Sequence, residues 1–286
     1  MNSPNRIVQL DDRTIGHIAA GEVVERPAQV VKELIENSID AGAKKIIVDV
    51  ERGGFDLMRI LDDGSGIHEE DLPLSLDRHA TSKLRSQEDL ASIGTLGFRG
   101  EALASIGMVS RLSISSRPAG TEGRRIVMDN GDKEKIEPAG IAEGTCIEVS
   151  NIFANQPARL AFQRRPATET SKIVDVVVSH AISHPEVGFR LMSDDKVILE
   201  VPAVDEMEDR LYDILGRQAG RMIEISSPPS DDEAPGEENW SGWISTPDIT
   251  RGKGDDIHIL INGRPVAAQP FLQSIRRGYR TRLMQG

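Results

Sequence analysis

The chain has 286 residues, a formal net charge of -12, and 28% charged, 38% apolar and only 3% aromatic residues. That length accommodates two domains with aliphatic cores, and the acidic balance argues against a surface that coats nucleic acid generally. A single cysteine, Cys146, excludes an intramolecular disulfide and a cysteine-rich zinc site; with no signal core at the N-terminus and no apolar run long enough to span a bilayer, a soluble cytoplasmic protein is expected.

Residues 1–25 begin polar and then place Ile15, Ile18 and Val23 in a short helical pattern, punctuated by Gly21 and Pro27. Arg26 to Gly42 predicts a longer helix, with Pro27 in its first turn and Gly42 as its stop. Val30, Val31, Leu34, Ile35 and Ile39 recur at helical spacing, while Glu33, Glu36, Asn37 and Asp40 fall on the opposite arc. Glu33 and Asn37 lie one turn apart at the border of the apolar stripe. In a half-buried cleft such a carboxylate and amide can orient a water and bind a hard cation; the plainer reading is a solvated polar face.

Lys45 to Val50 reads as a β-branched strand, Gly53-Gly54 as a turn, and Leu57 to Leu61 as a second strand running into Asp62-Asp63-Gly64-Ser65-Gly66. Carboxylates followed by two glycines make a tight turn that a flat ligand can approach closely, with a simple hairpin turn as the competing reading. Residues 69–77 read as helical. The segment Arg78 to Gly100 is long for a connection and reads as a lid. Gly94, Gly97 and Gly100 precede an apolar helical run through Ala102, Leu103 and Ile106, whose first-turn N–H groups can hold an anion. No P-loop pattern occurs.

Strands are expected at 110–116, 124–128 and 145–150, a loop at Asn155 to Arg159, and a helix from Thr168 to Ser183. Strands at about 187–193 and 196–201 complete a first domain, 1–203. A second, 204–286, is expected to hold a helix ending at Leu215, strands around 221–225, 240–245 and 256–261, a turn at Asn262 to Arg264, and a last helix. Ser226 to Asn239 reads as a mobile acidic loop. From Arg264 onward there are five arginines and no acid, a solvated helix face or a contact to DNA phosphates. His180 and His184 have i,i+4 spacing without the glutamate of a zinc-protease motif, and Cys146 reads as a small buried residue in a strand.

Four blocks carry a family resemblance: Ile18-Ala-Ala-Gly-Glu-Val-Val-Glu-Arg-Pro27; Lys32-Glu-Leu-Ile-Glu-Asn37 with Asp40-Ala-Gly-Ala43; Arg78-His-Ala-Thr-Ser-Lys83; and Gly97-Phe-Arg-Gly-Glu-Ala-Leu103. Together they resemble the N-terminal ATPase region of the MutL family of DNA mismatch-repair proteins, closely over residues 7–203 and more loosely beyond. That family shares the GHKL superfamily with the DNA gyrase ATPase subunit, the ninety-kilodalton heat-shock chaperone and histidine kinases. The resemblance implies an α+β fold, a GHKL ATPase α/β sandwich followed by a smaller, incomplete α/β domain of the ribosomal S5 domain 2-like kind. It implies a weak, Mg2+-dependent ATPase with ATP and Mg2+ as cofactors. Glu33 is then the general base on water, and Asn37 the metal ligand that meets the nucleotide through the metal. Asp62 accepts from the adenine amino group, with Gly64, Gly66 and Thr145 around the base. Thr81, Ser82, Lys83, Gly97, Phe98, Arg99 and Gly100 belong to the lid around the phosphates.

Asp63 stands where the family usually has Asn, and Gln156 where it usually has Thr. The family's second-domain lysine that reaches the γ-phosphate, and its C-terminal dimerisation domain, lie beyond the 286 residues. The function implied is an ATP-driven switch of mismatch repair, nucleoid-associated during repair, with lid closure and pairing of N-terminal regions. Its implied partners are a mismatch sensor of the MutS type, a downstream nuclease or helicase, and DNA bound weakly and non-specifically, with no membrane. The full-length protein is expected to be a homodimer and this stretch a monomer. The alternative is an ATP-binding scaffold without appreciable turnover.

Overall fold

The computed structural model describes residues 9–83, 96–97, 100–227, 239–249 and 256–279. The chain divides into two compact units, Met1–Ala203 and Val204–Gly286. The first contains α1 (Asp12–Val23), α2 (Pro27–Asp40), β1 (Lys45–Glu51), β2 (Leu57–Asp62), α3 (Leu72–Ser75), α4 (Ala102–Met108), β3 (Arg111–Arg117), β4 (Arg124–Asp129), β5 (Asp132–Lys133) and β6 (Glu137–Pro138). It continues with β7 (Gly144–Ser150), α5 (Pro157–Ala161), α6 (Pro166–Ser183), β8 (Gly188–Ser193) and β9 (Lys196–Val201).

Among the described residues these strands form one nine-stranded sheet in the order β5-β4-β3-β7-β2-β1-β8-β9, with β6 beside β4. The β1–β8 pair is parallel, and α6 provides the crossover between distant parts of the chain that a parallel pair requires. Alternation decides what each strand buries. On β2 it turns Met58, Ile60 and Asp62 inward. Register aligns these with β7 and β3 as rows across the sheet: Met58–Val149–Leu112, Ile60–Ile147–Ile114, and then Asp62–Thr145–Ser116. Two apolar rows are thus followed by a polar one, every member of it buried.

The helix α2 packs on this sheet and against α6. It begins at Pro27 as the sequence predicts and stops before Gly42, whose φ is +76°. Val30, Val31, Leu34 and Ile35 are at most 1% exposed, each contributing roughly 2 kcal/mol of apolar burial; Ile39 is only half-buried. Arg26, just ahead of the helix, donates from Nε and Nη2 to the buried Glu169 carboxylate at 3.1 and 2.6 Å, tying the start of α2 to α6. A bidentate guanidinium satisfies both carboxylate oxygens in one geometry.

Glu36 departs from the predicted polar arc. It is buried and faces α6, with His180 Nε2 at 3.5 Å and Lys32 Nζ at 3.1 Å. Other differences are local. The helix expected over 69–77 contracts to α3, the single turn that buries Leu72. Asn155 to Arg159 is half helix, because Pro157 occupies the first position of α5 instead of ending a turn.

The second unit contains α7 (Met207–Leu215), β10 (Met222–Ser226), β11 (Ser241–Ser245), β12 (Ile259–Ile261), β13 (Arg264–Val266) and α8 (Leu272–Tyr279). Two antiparallel pairs result, β10–β11 and β12–β13. The strand expected over 256–261 covers only its last three residues, and Arg264 opens β13. Most of Ser226 to Asn239, read as a mobile loop, lies outside the described residues. Among the described residues no helix is long and apolar enough to cross a membrane.

Candidate functional site

The polar edge of α2 carries the first part of the site. Glu33 is half-buried and lines a narrow, otherwise largely apolar crevice with Val23, Val24, Gln29, Val30, Ala102 and Ile106. One turn on, Asn37 Oδ1 accepts from Lys83 Nζ at 2.8 Å. The same ammonium lies 2.5 Å from Asp40 Oδ2. Asp40 also accepts from the backbone N–H of Leu96 at 2.8 Å and of Gly97 at 3.1 Å. One carboxylate therefore gathers both described ends of the segment between Lys83 and Leu96. The sequence put Asp40 on the right arc but assigned it no task.

Gly100 has φ +62°, and a Cβ there would meet Ala80 O at 2.5 Å. His79 N donates to Gly100 O at 3.0 Å, so the two ends of the predicted lid lie side by side. Thr81 and Ser82 are exposed, and the Thr81 hydroxyl accepts from Lys83 N at 3.1 Å. Phe98 and Arg99 lie outside the described residues.

The second part lies where the polar row of the sheet meets α2. Ser38, the residue after Asn37, donates from Oγ to Asp62 Oδ2 at 2.7 Å. Gly64 N donates to Asp62 Oδ1 at 2.9 Å, and the Thr145 backbone N–H also bonds the carboxyl. Burial pushes the Asp62 pKa up; these three donors pull the other way without cancelling it, and the neighbouring Asp63 charge adds to the rise. Asp63 itself turns away to accept from Lys44 N and Lys45 N at 2.7 and 2.9 Å. An asparagine oxygen serves that purpose equally, which accounts for the interchange at this position. Gly66 has φ +73°, and a Cβ would meet Pro118 N at 2.7 Å. A side chain is excluded there twice over, by conformation and by space.

Asn37 and Asp62 are thus joined through one peptide unit and one serine hydroxyl. Ser38 was missed because a serine among apolar helix positions reads as a gap in the stripe; only the inward alternation of β2 gives it a partner. Arg159, from the Pro-Ala-Arg segment, donates to Gly21 O and lies over the Phe153 ring at 4.9 Å, holding the end of α1.

Among the described residues no group of three or more His, Cys, Asp and Glu could hold a metal. His180 is buried against Glu36, with Nδ1 on Val176 O at 2.8 Å, and His184 pairs with Glu186. Cys146 is half-buried, less enclosed than the sequence predicts, and burial pushes its thiol up to about 11, far from thiolate chemistry.

Comparison with known proteins bears on the fold and the family. Residues 25–144 match a family described as histidine kinase-, DNA gyrase B-, and HSP90-like ATPase, and residues 212–286 match the C-terminal domain of DNA mismatch repair proteins. The DNA mismatch repair protein MutL of Streptococcus equi subsp. zooepidemicus is 43% identical over 282 residues, 98% of this chain and 42% of that protein. That of Acidiphilium cryptum is 44% identical over 283 residues, 98% of this chain and 47% of the relative. The chain therefore spans less than half the length of these curated relatives. Among solved structures, the Aquifex aeolicus MutL ATPase domain complexed with ADP superposes with a TM-score of 0.70 at 27% identity, covering 89% of this chain and 88% of that one. With its sheet and its two matched regions in that order, the chain belongs to the MutL family of DNA mismatch-repair proteins and carries that family's GHKL-type ATPase fold.

Proposed function

We propose that this chain binds ATP between α2 and the polar row of the sheet and hydrolyses it slowly, as the nucleotide switch of a mismatch-repair protein. The observation that carries the reading is the pairing of a hard oxygen, Asn37 Oδ1, with a buried acceptor, Asp62, through adjacent residues of one helix. Asp62 accepts from the adenine amino group, with Gly64, Gly66 and Thr145 around the base. A base carrying a carbonyl at that position would meet two acceptors face to face. The ADP complex of the Aquifex MutL domain supports nucleotide as the ligand.

Asn37 fits a divalent cation, since its oxygen already holds a cationic group, the Lys83 ammonium. Mg2+ suits a site with one protein oxygen because it keeps waters and phosphate oxygens as its other ligands. When bound, Mg2+ neutralises charge on the phosphates. Glu33 orients a water for attack on the γ-phosphorus and takes up its proton; phosphoryl transfer needs positioning and charge neutralisation more than covalent help. With a cation held at Asn37, Lys83 would be free to turn to the phosphates, beside the N–H groups of Gly97 and Gly100 in the predicted lid, to which Phe98 and Arg99, outside the described residues, are also assigned. Thr81 and Ser82 flank that lysine.

The wider role is that of the family: a cytoplasmic, nucleoid-associated switch that answers a MutS-type mismatch sensor and signals to a nuclease or helicase. The full-length protein pairs as a homodimer, and this stretch alone is monomeric. The boundary between ATPase and second domain falls at residue 203. Weak, non-specific DNA contact is carried by the arginines from Arg264 onward.

Phosphate release by wild type and Glu33→Ala, with ATP affinity measured in parallel, tests the reading. Loss of turnover with ATP affinity kept within about threefold is expected, since the base acts on water and not on the nucleotide. Equal turnover would overturn Glu33 as the base. Absence of turnover in the wild type, with ATP bound, would leave an ATP-binding scaffold.

A further inference from the structure

The polar row has a third member that the proposed nucleotide contacts do not use. Ser116 on β3 lies directly cross-strand from Thr145 and is 0% exposed. Its Oγ makes three contacts: Ile67 N donates to it at 2.8 Å, Gly144 O lies at 3.0 Å, and Thr145 Oγ1 lies at 2.9 Å.

Proton counting fixes the polarity of this network. A serine hydroxyl has one proton and two lone pairs. The Ile67 N–H occupies one lone pair. The Gly144 carbonyl can only accept, so for all three contacts to be hydrogen bonds the Ser116 proton must go there. Thr145 must then donate its own proton to the remaining lone pair, because two hydroxyl oxygens 2.9 Å apart need a proton between them. Thr145 Oγ1 is left with only lone pairs to offer a ligand. Beside it Asp62 also offers acceptors, so this end of the site matches a ligand edge that carries two N–H bonds.

We infer that Ser116 is a positioning residue for base selection: it draws the Thr145 proton inward and anchors the turn that ends at Ile67. The inference rests on the proposed reading of this end as the adenine pocket. Ser116 touches no nucleotide; it acts on base selection through Thr145. The selected group is an exocyclic amino substituent, against a carbonyl at the same ring position. A carbonyl oxygen facing two acceptor-only groups has no hydrogen to share. Without Ser116, Thr145 can rotate and donate outward, and the carbonyl analogue gains a partner.

The test is a calorimetric titration of ATP and of inosine triphosphate, which carries a carbonyl where adenine has its amino group. It uses the 286-residue chain as wild type, Ser116→Ala, Thr145→Val, both together, and Asp62→Asn. Ser116→Ala should weaken ATP about tenfold while leaving inosine triphosphate unchanged or tighter, so that the preference falls at least tenfold. Thr145→Val, nearly isosteric, should lower the preference as well, and adding Ser116→Ala to it should change the preference no further. An unchanged preference in Ser116→Ala, or additive effects in the double variant, would overturn the inference. If Ser116→Ala does not fold, an unchanged preference in Thr145→Val overturns it alone. Asp62→Asn separates the two levels. Loss of preference there with none in the Ser116 and Thr145 variants defeats only the role of Ser116, whereas full preference in Asp62→Asn defeats the adenine pocket itself.

Discussion

Lys83 Nζ donates to Asn37 Oδ1 at 2.8 Å while its other close partner, Asp40 Oδ2, lies 2.5 Å away. The amide oxygen contributes a hydrogen bond to this cluster, but the charge is balanced by Asp40. Asn37→Ala should therefore leave the ion pair in place and change folding stability by no more than about 1 kcal/mol. Thermal unfolding of the nucleotide-free variant checks this. A much larger loss would mean that Asn37 is chiefly a structural residue.

Asp62 sets function against stability. Its pKa is raised by burial, so the carboxyl holds its proton more tightly in the folded than in the unfolded chain. The stability this contributes is complete below the ordinary carboxylate range and is lost as pH rises through the raised value. Asp62→Asn removes the cost of holding a charge there, and Ser38 can turn its proton to Leu34 O at 3.1 Å to receive the amide. Relative to wild type the variant should gain stability as pH rises from 3 to 7 and show little gain at pH 3. Denaturant melts at several pH values decide it; a variant less stable at pH 7 than at pH 3, relative to wild type, contradicts the argument.

Glu36 predicts the opposite slope. Burial alone would raise its pKa, but the His180 imidazole 3.5 Å away and the Lys32 charge outweigh burial and lower it. A lowered carboxylate contributes stability above its unfolded pKa, lost as pH falls through the folded one. Glu36→Gln should cost about 2 kcal/mol at pH 7 and little near pH 3. The same melts read this out, and a pH-independent cost would show packing rather than charge at work.

Arg276 and Arg277 are exposed on α8 of the second unit. If they contact DNA phosphates, reversing both to Glu should weaken binding about equally for any sequence and flatten its salt dependence. With a chain charge of -12, affinity near physiological salt should already be poor. Fluorescence anisotropy across a salt series measures both, and an unchanged slope rules these arginines out as phosphate contacts. Arg280 and Arg282 lie outside the described residues.

The helix α2 was legible because its signals are local: Pro27 to start, Gly42 to stop, and an apolar stripe between them. The strands around Asp62 and Thr145 were legible for the same reason, through β-branched alternation. What the sequence concealed depends on contacts distant in the chain. Glu36 looks solvated until α6 brings His180 against it, 144 residues later. Asp40 acquires its role only when Lys83, Leu96 and Gly97 converge on it. Ser116 is an ordinary strand serine until register sets it beside Thr145. Pro157 misled in the other direction, since a proline after Asn-Gln marks a turn or a helix start equally well, and packing of Arg159 on Phe153 accompanies the helix.

The most direct measurement of the central claim is an ATP titration with and without Mg2+, on wild type, Asn37→Ala and Asp62→Asn. ATP should bind the wild type more tightly with Mg2+ than without it. Asn37→Ala should lose that increment, and Asp62→Asn should lose about tenfold or more in affinity under both conditions. If ATP bound all three chains equally, or the Mg2+ increment survived without Asn37, the α2 edge and the polar row would not be the two ends of one nucleotide site.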